Sequence, residues 1–172
     1  MLAPKKKEIT TLNFLIKYNL SKLVKKNSIL IVALISFFIG CIIYIMMRGT
    51  NLLMFSWFED IGIYSFLMKL RNAFVVPMNL LPKWFLYSLP LALWYFSGLL
   101  IISLIWGRLF HQKIFWSLFF SIIAFGSEYG QLIGIVPGTF DKVDIYLMLL
   151  VTLTTTLINR KQIKKELMNE KI

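Results

Sequence analysis

The chain has 172 residues, of which 58% are hydrophobic and 16% are charged, a composition that excludes an ordinary soluble domain and a disordered chain and indicates a membrane protein. Its 19 Lys and Arg residues exceed its 8 Asp and Glu residues, which gives a net charge of +11. Such an excess is typical of the cytoplasmic flanks of membrane proteins, and because no basic segment resembles a nucleic-acid-binding module, no nucleic-acid partner is expected.

The N-terminal segment predicts an amphipathic helix. Between Ile9 and Lys26, apolar residues recur every three or four positions with lysines between them, so a helix here would lie on the inner membrane surface. We interpret residues 1–28 as a cytoplasmic basic tail that contains this interfacial helix. The helix is interpreted as an anchor, and recruitment of a partner is the alternative.

Four apolar runs within residues 29–159 predict membrane-spanning helices. They cover Ile29–Met47, about Trp84–Trp106, Ile114–Val136 and Val143–Asn159. A spanning helix needs roughly 20 largely apolar residues, which these runs approach. Pro90 removes a backbone donor and should kink the second span. Pro137 and Gly138 cannot continue a helix and should close the third span.

The distribution of basic residues predicts the orientation of these spans. Most Lys and Arg residues lie in the N-terminal tail, in the connection between the second and third spans, and in the C-terminal tail, residues 160–172. Both termini are therefore predicted to be cytoplasmic. Two loops then lie outside, about Arg48–Lys83 and about Pro137–Lys142.

The first outer loop is itself rich in Phe, Leu, Met and Trp. This composition predicts a membrane-lying or re-entrant helix around Ile61–Phe74, with Glu59 and Asp60 at its N-terminus, where acidic groups favour the helix dipole. The predicted fold class is thus an all-α integral membrane protein of the cell membrane. It has four transmembrane helices, an N-terminal interfacial amphipathic helix and a membrane-lying outer loop.

Glu128 is the most informative single residue, because an ionisable group inside a spanning helix is expensive and usually marks a site or a buried polar contact. It falls in the outer half of the third span, and Gln131 shares its helix face, so the two side chains can bond each other or one ligand. Gly126, Gly130 and Gly134 form a stripe of small residues that predicts close helix packing.

Asp141 and Asp144 follow in the turn into the fourth helix, where Asp141 is well placed to cap the helix and Asp144 to face its dipole. The alternative is that Glu128, Gln131, Asp141 and Asp144 converge on one outer-leaflet pocket. Its three carboxylates could bind a divalent cation or a cationic headgroup, or act as general acid and base. No nucleophile elbow, HExxH or CxxC motif occurs, so no catalytic residue, resident metal or cofactor is assigned.

The segment from Ser127 to Asp144 resembles the C-terminal signature of the VanZ-like membrane proteins. In that family a glutamate and a glutamine three residues apart precede a proline-containing turn and an aspartate that opens the last helix. The matching positions are Glu128, Gln131, Pro137, Asp141 and Asp144. The family is named for a contribution to teicoplanin resistance, so the resemblance implies a cell-envelope role linked to glycopeptide resistance.

The preferred functional hypothesis is a small multi-pass membrane protein that binds an envelope lipid or a cell-wall-related amphiphile at the outer-leaflet pocket. One alternative is a membrane enzyme that acts on a lipid headgroup with the Glu128 and Asp144 carboxylates. Another is a structural partner of a second membrane protein, held through the glycine stripe and the N-terminal helix. The partners expected are membrane lipids, with a membrane-protein partner or a second copy of the chain as further possibilities.

Overall fold

The computed structural model describes residues 6–73, 81–107 and 109–169. All regular secondary structure in these ranges is α-helical, which confirms the all-α prediction. The seven helices are α1 (Lys6–Met47), α2 (Leu53–Asp60), α3 (Tyr64–Ala73), α4 (Lys83–Tyr87), α5 (Leu89–Ile105), α6 (Phe110–Leu132) and α7 (Lys142–Asn169).

The predicted interfacial helix and the predicted first span are one continuous helix, α1, of 42 residues. No glycine or proline interrupts the chain at the predicted boundary after residue 28. The Ser28 hydroxyl donates to the carbonyl of Val24 at 2.9 Å, an arrangement that leaves the helix intact. The separate interfacial helix is therefore corrected to the N-terminal half of α1.

The predicted first outer loop contains a helix, α3, within the range predicted for one, and α2 is an additional short helix before it. α2 and α3 are separated by a turn at Gly62, whose amide donates to the carbonyl of Glu59 at 2.9 Å. Glu59 and Asp60 accordingly end α2 and do not open the following helix, so the prediction of their N-terminal role is wrong. The predicted loop helix extended to Phe74, and residues 74–80 lie outside the described part of the chain.

Pro90 breaks the predicted second span instead of kinking it. α4 and α5 meet at Ser88, and Pro90 occupies the first turn of α5. A proline is tolerated there because the first amides of a helix have no partner within it, whereas inside a longer helix its ring would clash with the carbonyl four residues earlier.

α5 is the central helix and packs against α1, α6 and α7. Tyr95 and Leu99 of α5 form the buried core together with Met148 of α7. The Tyr95 hydroxyl lies 2.6 Å from Ser121 Oγ and 3.0 Å from Thr152 Oγ1, so one side chain joins three helices.

Among the described helices, two are long and apolar enough to cross a membrane, and they cover Lys26–Met47 and Lys142–Asn159. They correspond to the first and fourth predicted spans. α5 is apolar but has only 17 residues. The prediction of four spans is therefore not confirmed, and only the coarser prediction of membrane-spanning helices is supported.

Candidate functional site

Four segments of the chain meet at one end of the bundle. They are the C-terminal end of α1, the junction of α4 and α5, the last turns of α6 and the start of α7. Their polar side chains form what we call the helix-end cluster, which consists of Arg48, Ser88, Glu128, Gln131, Asp141 and Asp144.

Glu128 faces the protein interior, as predicted. Its side chain is 2% exposed, and its Oε1 accepts a hydrogen bond of 3.3 Å from Nε2 of Gln131. The two residues share a helix face because they are three positions apart in α6. Of the two possibilities predicted for this pair, the structure shows the side chains bonded to each other.

Asp141 caps α7, as predicted. Its Oδ1 accepts a hydrogen bond of 2.9 Å from the amide of Val143, the second residue of the helix. Asp144 lies in the first turn of α7. Both aspartates are close enough to Glu128 to repel its carboxylate electrostatically, so the structure brings all four predicted site residues together.

Ser88 and Arg48 also belong to the cluster, and sequence reasoning did not identify them. Ser88 is completely buried at the helix break that Pro90 imposes. Its side chain lies beside the Asp144 carboxylate, and the guanidinium of Arg48 is near enough to attract that carboxylate. The only sequence signal for Ser88 was its position two residues before Pro90, where a kink was predicted.

Arg48 is held between aromatic rings. Its guanidinium carbon lies 5.2 Å from the centre of the Tyr44 ring and 4.6 Å from that of Tyr87. These distances are within the range of a cation–π interaction.

Unsatisfied hydrogen-bonding groups are concentrated in this cluster. Six buried side-chain nitrogen or oxygen atoms of the described residues have no hydrogen-bond partner, and four of them belong to the cluster. We call these four the open polar atoms: Arg48 Nε, Ser88 Oγ, Glu128 Oε2 and Asp144 Oδ1. Two of them are neighbours, because the Ser88 hydroxyl lies near enough to the Asp144 carboxylate to interact with it. Most buried polar groups in folded proteins are paired, so the cluster is the part of the described structure where side-chain hydrogen bonding is least satisfied.

The turn after α6 holds Gln131 in position. α6 ends at Leu132, four residues before the predicted end at Val136, because Gly134 adopts a φ of +76° that a helix cannot contain. The amides of Ile135 and Val136 then both donate to the carbonyl of Gly130, at 2.9 and 3.1 Å. This reversal brings Gly138 against the Gln131 side chain.

The predicted glycine stripe does not pack helices together. A Cβ added to Gly126 or Gly134 would meet nothing within 4 Å, and one added to Gly130 would meet Val136 of the same turn. Close helix approach occurs instead at Gly40, against Trp94, and at Gly98, against Phe120. That part of the prediction is wrong, because Gly134 already lies in the turn.

In the described ranges, no group of three or more His, Cys, Asp or Glu side chains could hold a metal ion. The divalent-cation interpretation of the three carboxylates therefore has no support in the geometry. Comparison with known proteins gave no match to any protein-family model, curated protein or solved structure.

Proposed function

We propose that the chain is a membrane protein of the VanZ-like type that binds the headgroup of an envelope lipid or related amphiphile at the helix-end cluster. The proposed topology has four spans, formed by α1, by α4 with α5, by α6 and by α7. Both termini are cytoplasmic and the cluster faces the outer leaflet.

The exposed apolar surface supports a multi-span arrangement. α6 does not qualify as a span by composition, yet several of its large apolar side chains are exposed, as on α1 and α7. On α6 these include Phe115, Leu118, Phe119, Ile122 and Ile123. Apolar surface of this extent is covered by lipid or by other protein, because soluble monomers rarely expose it.

The observation that carries the proposed binding function is the set of open polar atoms. Glu128 Oε2 and Asp144 Oδ1 are acceptors, and the buried Ser88 hydroxyl lies beside the Asp144 carboxylate. An unpaired buried acceptor is destabilising by about 1–3 kcal/mol, and more when it is charged. A bound headgroup with hydrogen-bond donors would remove that penalty, so the site is better suited to a ligand than to apolar packing.

Lipid retention tests this function. The full-length protein is purified in mild detergent, and copurified lipids are quantified by mass spectrometry. We expect Glu128→Gln to reduce the retained lipid about 10-fold, since it replaces a charged acceptor by a neutral amide of the same shape. Size-exclusion chromatography and circular dichroism verify that the variant is folded.

Glu59→Gln is the matched control, because Glu59 is an exposed carboxylate at the end of α2, and it should retain as much lipid as the unmodified protein. Equal lipid in all three proteins would contradict the proposed function. A covalently altered lipid that disappears with Glu128→Gln would also contradict it and would favour a membrane enzyme.

A further inference from the structure

We infer that the helix-end cluster selects headgroups that carry both a primary ammonium and a phosphate, with the ammonium at Glu128 and Asp144 and the phosphate at Arg48. This inference rests on the proposed headgroup-binding function and specifies its ligand class. The observations behind it concern the two arginines and the balance of charge at this end of the bundle.

Two arginines lie at the C-terminal end of α1, but only one has its hydrogen-bonding capacity taken up by the fold. Arg71 of α3 donates to the carbonyl of Ile45 at 2.6 Å and to that of Arg48 at 2.8 Å. It therefore caps the last turn of α1, where a cation is favoured by the dipole. The Arg48 side chain has no such role, and its Nε is one of the open polar atoms.

The open polar atoms comprise both donors and acceptors. Arg48 Nε can only donate, Glu128 and Asp144 can only accept when they are ionised, and the Ser88 hydroxyl can do either. A purely cationic ligand would be attracted by the carboxylates but repelled by Arg48. A purely anionic ligand would be attracted by Arg48 but repelled by the carboxylates. A ligand with both charges complements both sides and is favoured by each over its singly charged analogues.

The two carboxylate oxygens among the open polar atoms favour a primary ammonium over a quaternary one. A primary ammonium has three N–H donors and can satisfy Glu128 Oε2 and Asp144 Oδ1, whereas a quaternary choline group has none. Choline is usually recognised by aromatic faces, and the rings of Tyr44 and Tyr87 are already taken by Arg48. The geometry thus favours a phosphoethanolamine-type group over a phosphocholine-type group.

Arg48 is the group in the cluster that is suited to bind the phosphate. The planar guanidinium forms strong charge-assisted hydrogen bonds to phosphate oxygens, and stacking between two rings fixes its orientation. The same chemistry could reach the site as a membrane lipid or as a soluble phosphoethanolamine ester, so both sources enter the test.

The test measures binding of defined lipids to the full-length protein by native mass spectrometry in detergent. The lipids are phosphatidylethanolamine, its N-acetylated form, phosphatidylcholine, phosphatidylglycerol and sphingosine, which carries an amine but no phosphate. We expect phosphatidylethanolamine to bind about 10-fold more tightly than each of the others, because each lacks one charge-assisted contact. Soluble glycerophosphoethanolamine is added as a competitor. Competition would support a site for the headgroup itself, and no competition would support a site for the intact lipid.

Two substitutions should change selectivity in opposite directions. Arg48→Gln should weaken phosphatidylethanolamine about 10-fold and leave sphingosine unchanged or tighter, because the repelling cation is gone. Glu128→Gln should likewise weaken phosphatidylethanolamine and leave phosphatidylglycerol unchanged or tighter. A general loss of structure would weaken all lipids together. Lys69→Gln is the charge control, because Lys69 is exposed on α3 two residues before Arg71, and it should change none of these affinities.

Equal binding of all five lipids, weakened uniformly by a Glu128→Gln variant that size-exclusion chromatography and circular dichroism show to be folded, would overturn the selectivity and leave the proposed headgroup-binding function standing. Lipid binding that is unaffected by both Arg48→Gln and Glu128→Gln would overturn the selectivity and the proposed function together.

Discussion

Gly138 determines where the Gln131 amide can lie, and Gln131 in turn holds Glu128. A Cβ at position 138 would lie 2.7 Å from both Cδ and Oε1 of Gln131. The residue also has a φ of +146°, a conformation that side chains other than glycine rarely adopt. A residue outside the cluster thus controls the geometry of the candidate binding site.

Gly138→Ala should therefore lower stability by about 1–3 kcal/mol through backbone strain and should displace the Gln131 side chain from Glu128. The measurements are the midpoint of thermal unfolding in detergent and the amount of copurified lipid, both of which should fall. Gly126→Ala is the matched control. It lies in open space on α6, so alanine should raise helix stability by about 0.5–1 kcal/mol and leave lipid retention unchanged. Equal effects of Gly138→Ala and Gly126→Ala would contradict the role of Gly138 in positioning the Gln131 side chain.

At the residue scale, the sequence predicted those side-chain contacts that are made between residues close together in the chain. Glu128 and Gln131 are neighbours on one helix turn, and Asp141 is a capping residue in its usual position, so both contacts could be predicted. Arg48 and Ser88 could not be predicted as site residues, because only the packing of α1, α5 and α7 brings them beside Asp144. Arg48 was interpreted solely as a charge in the outer loop.

At the scale of helices, sequence reasoning located the apolar runs better than their ends. The hydrophobic pattern continues through Gly134, although the left-handed conformation there ends α6. It also continues through Ser88, although Pro90 divides the run into α4 and α5. In both cases a single backbone requirement overrides a pattern that side-chain hydrophobicity alone would extend.

The contact that joins α5, α6 and α7 is the Tyr95 hydroxyl. Ser121 and Thr152 can each donate back to a carbonyl of their own helix, at 2.7 and 2.9 Å. Tyr95 therefore donates to one of these hydroxyls, and it accepts from the other only when that hydroxyl gives up its backbone bond. Tyr95→Phe should lower stability by about 1 kcal/mol, since the partners keep their bonds to their helices. Thermal unfolding in detergent measures this. Tyr146→Phe is the control, because Tyr146 is 68% exposed and should show no change. A Tyr95→Phe protein as stable as the control would refute the joining role.

At the scale of the whole molecule, the proposed topology predicts the accessibility of single cysteines. The native Cys41 is first replaced by serine, and one cysteine is then introduced either at Thr139, in the turn before α7, or at Asn169, the last residue of α7. A membrane-impermeant maleimide should label the cysteine at position 139 in intact cells. It should label the one at position 169 only after permeabilisation, because most basic residues flank the cytoplasmic side.

The reverse labelling pattern would contradict the proposed orientation. Labelling of both positions in intact cells would contradict cytoplasmic placement of the C-terminus. Thr139 is exposed, so failure of the reagent to reach it from outside would argue against an outer position for the helix-end cluster.

Because α1 is one continuous helix, a change in its tilt at one end displaces its other end over a large distance. Its 42 residues extend about 63 Å at about 1.5 Å per residue, roughly twice the thickness of the hydrocarbon core. Its C-terminal end is capped by Arg71 and is followed directly by Arg48. If that end serves as the pivot, a change in tilt of about 10° moves the Lys6 end by about 11 Å. In the proposed topology, a small movement of α1 around a bound headgroup would thus be amplified into a larger displacement of the N-terminal segment on the other side of the membrane.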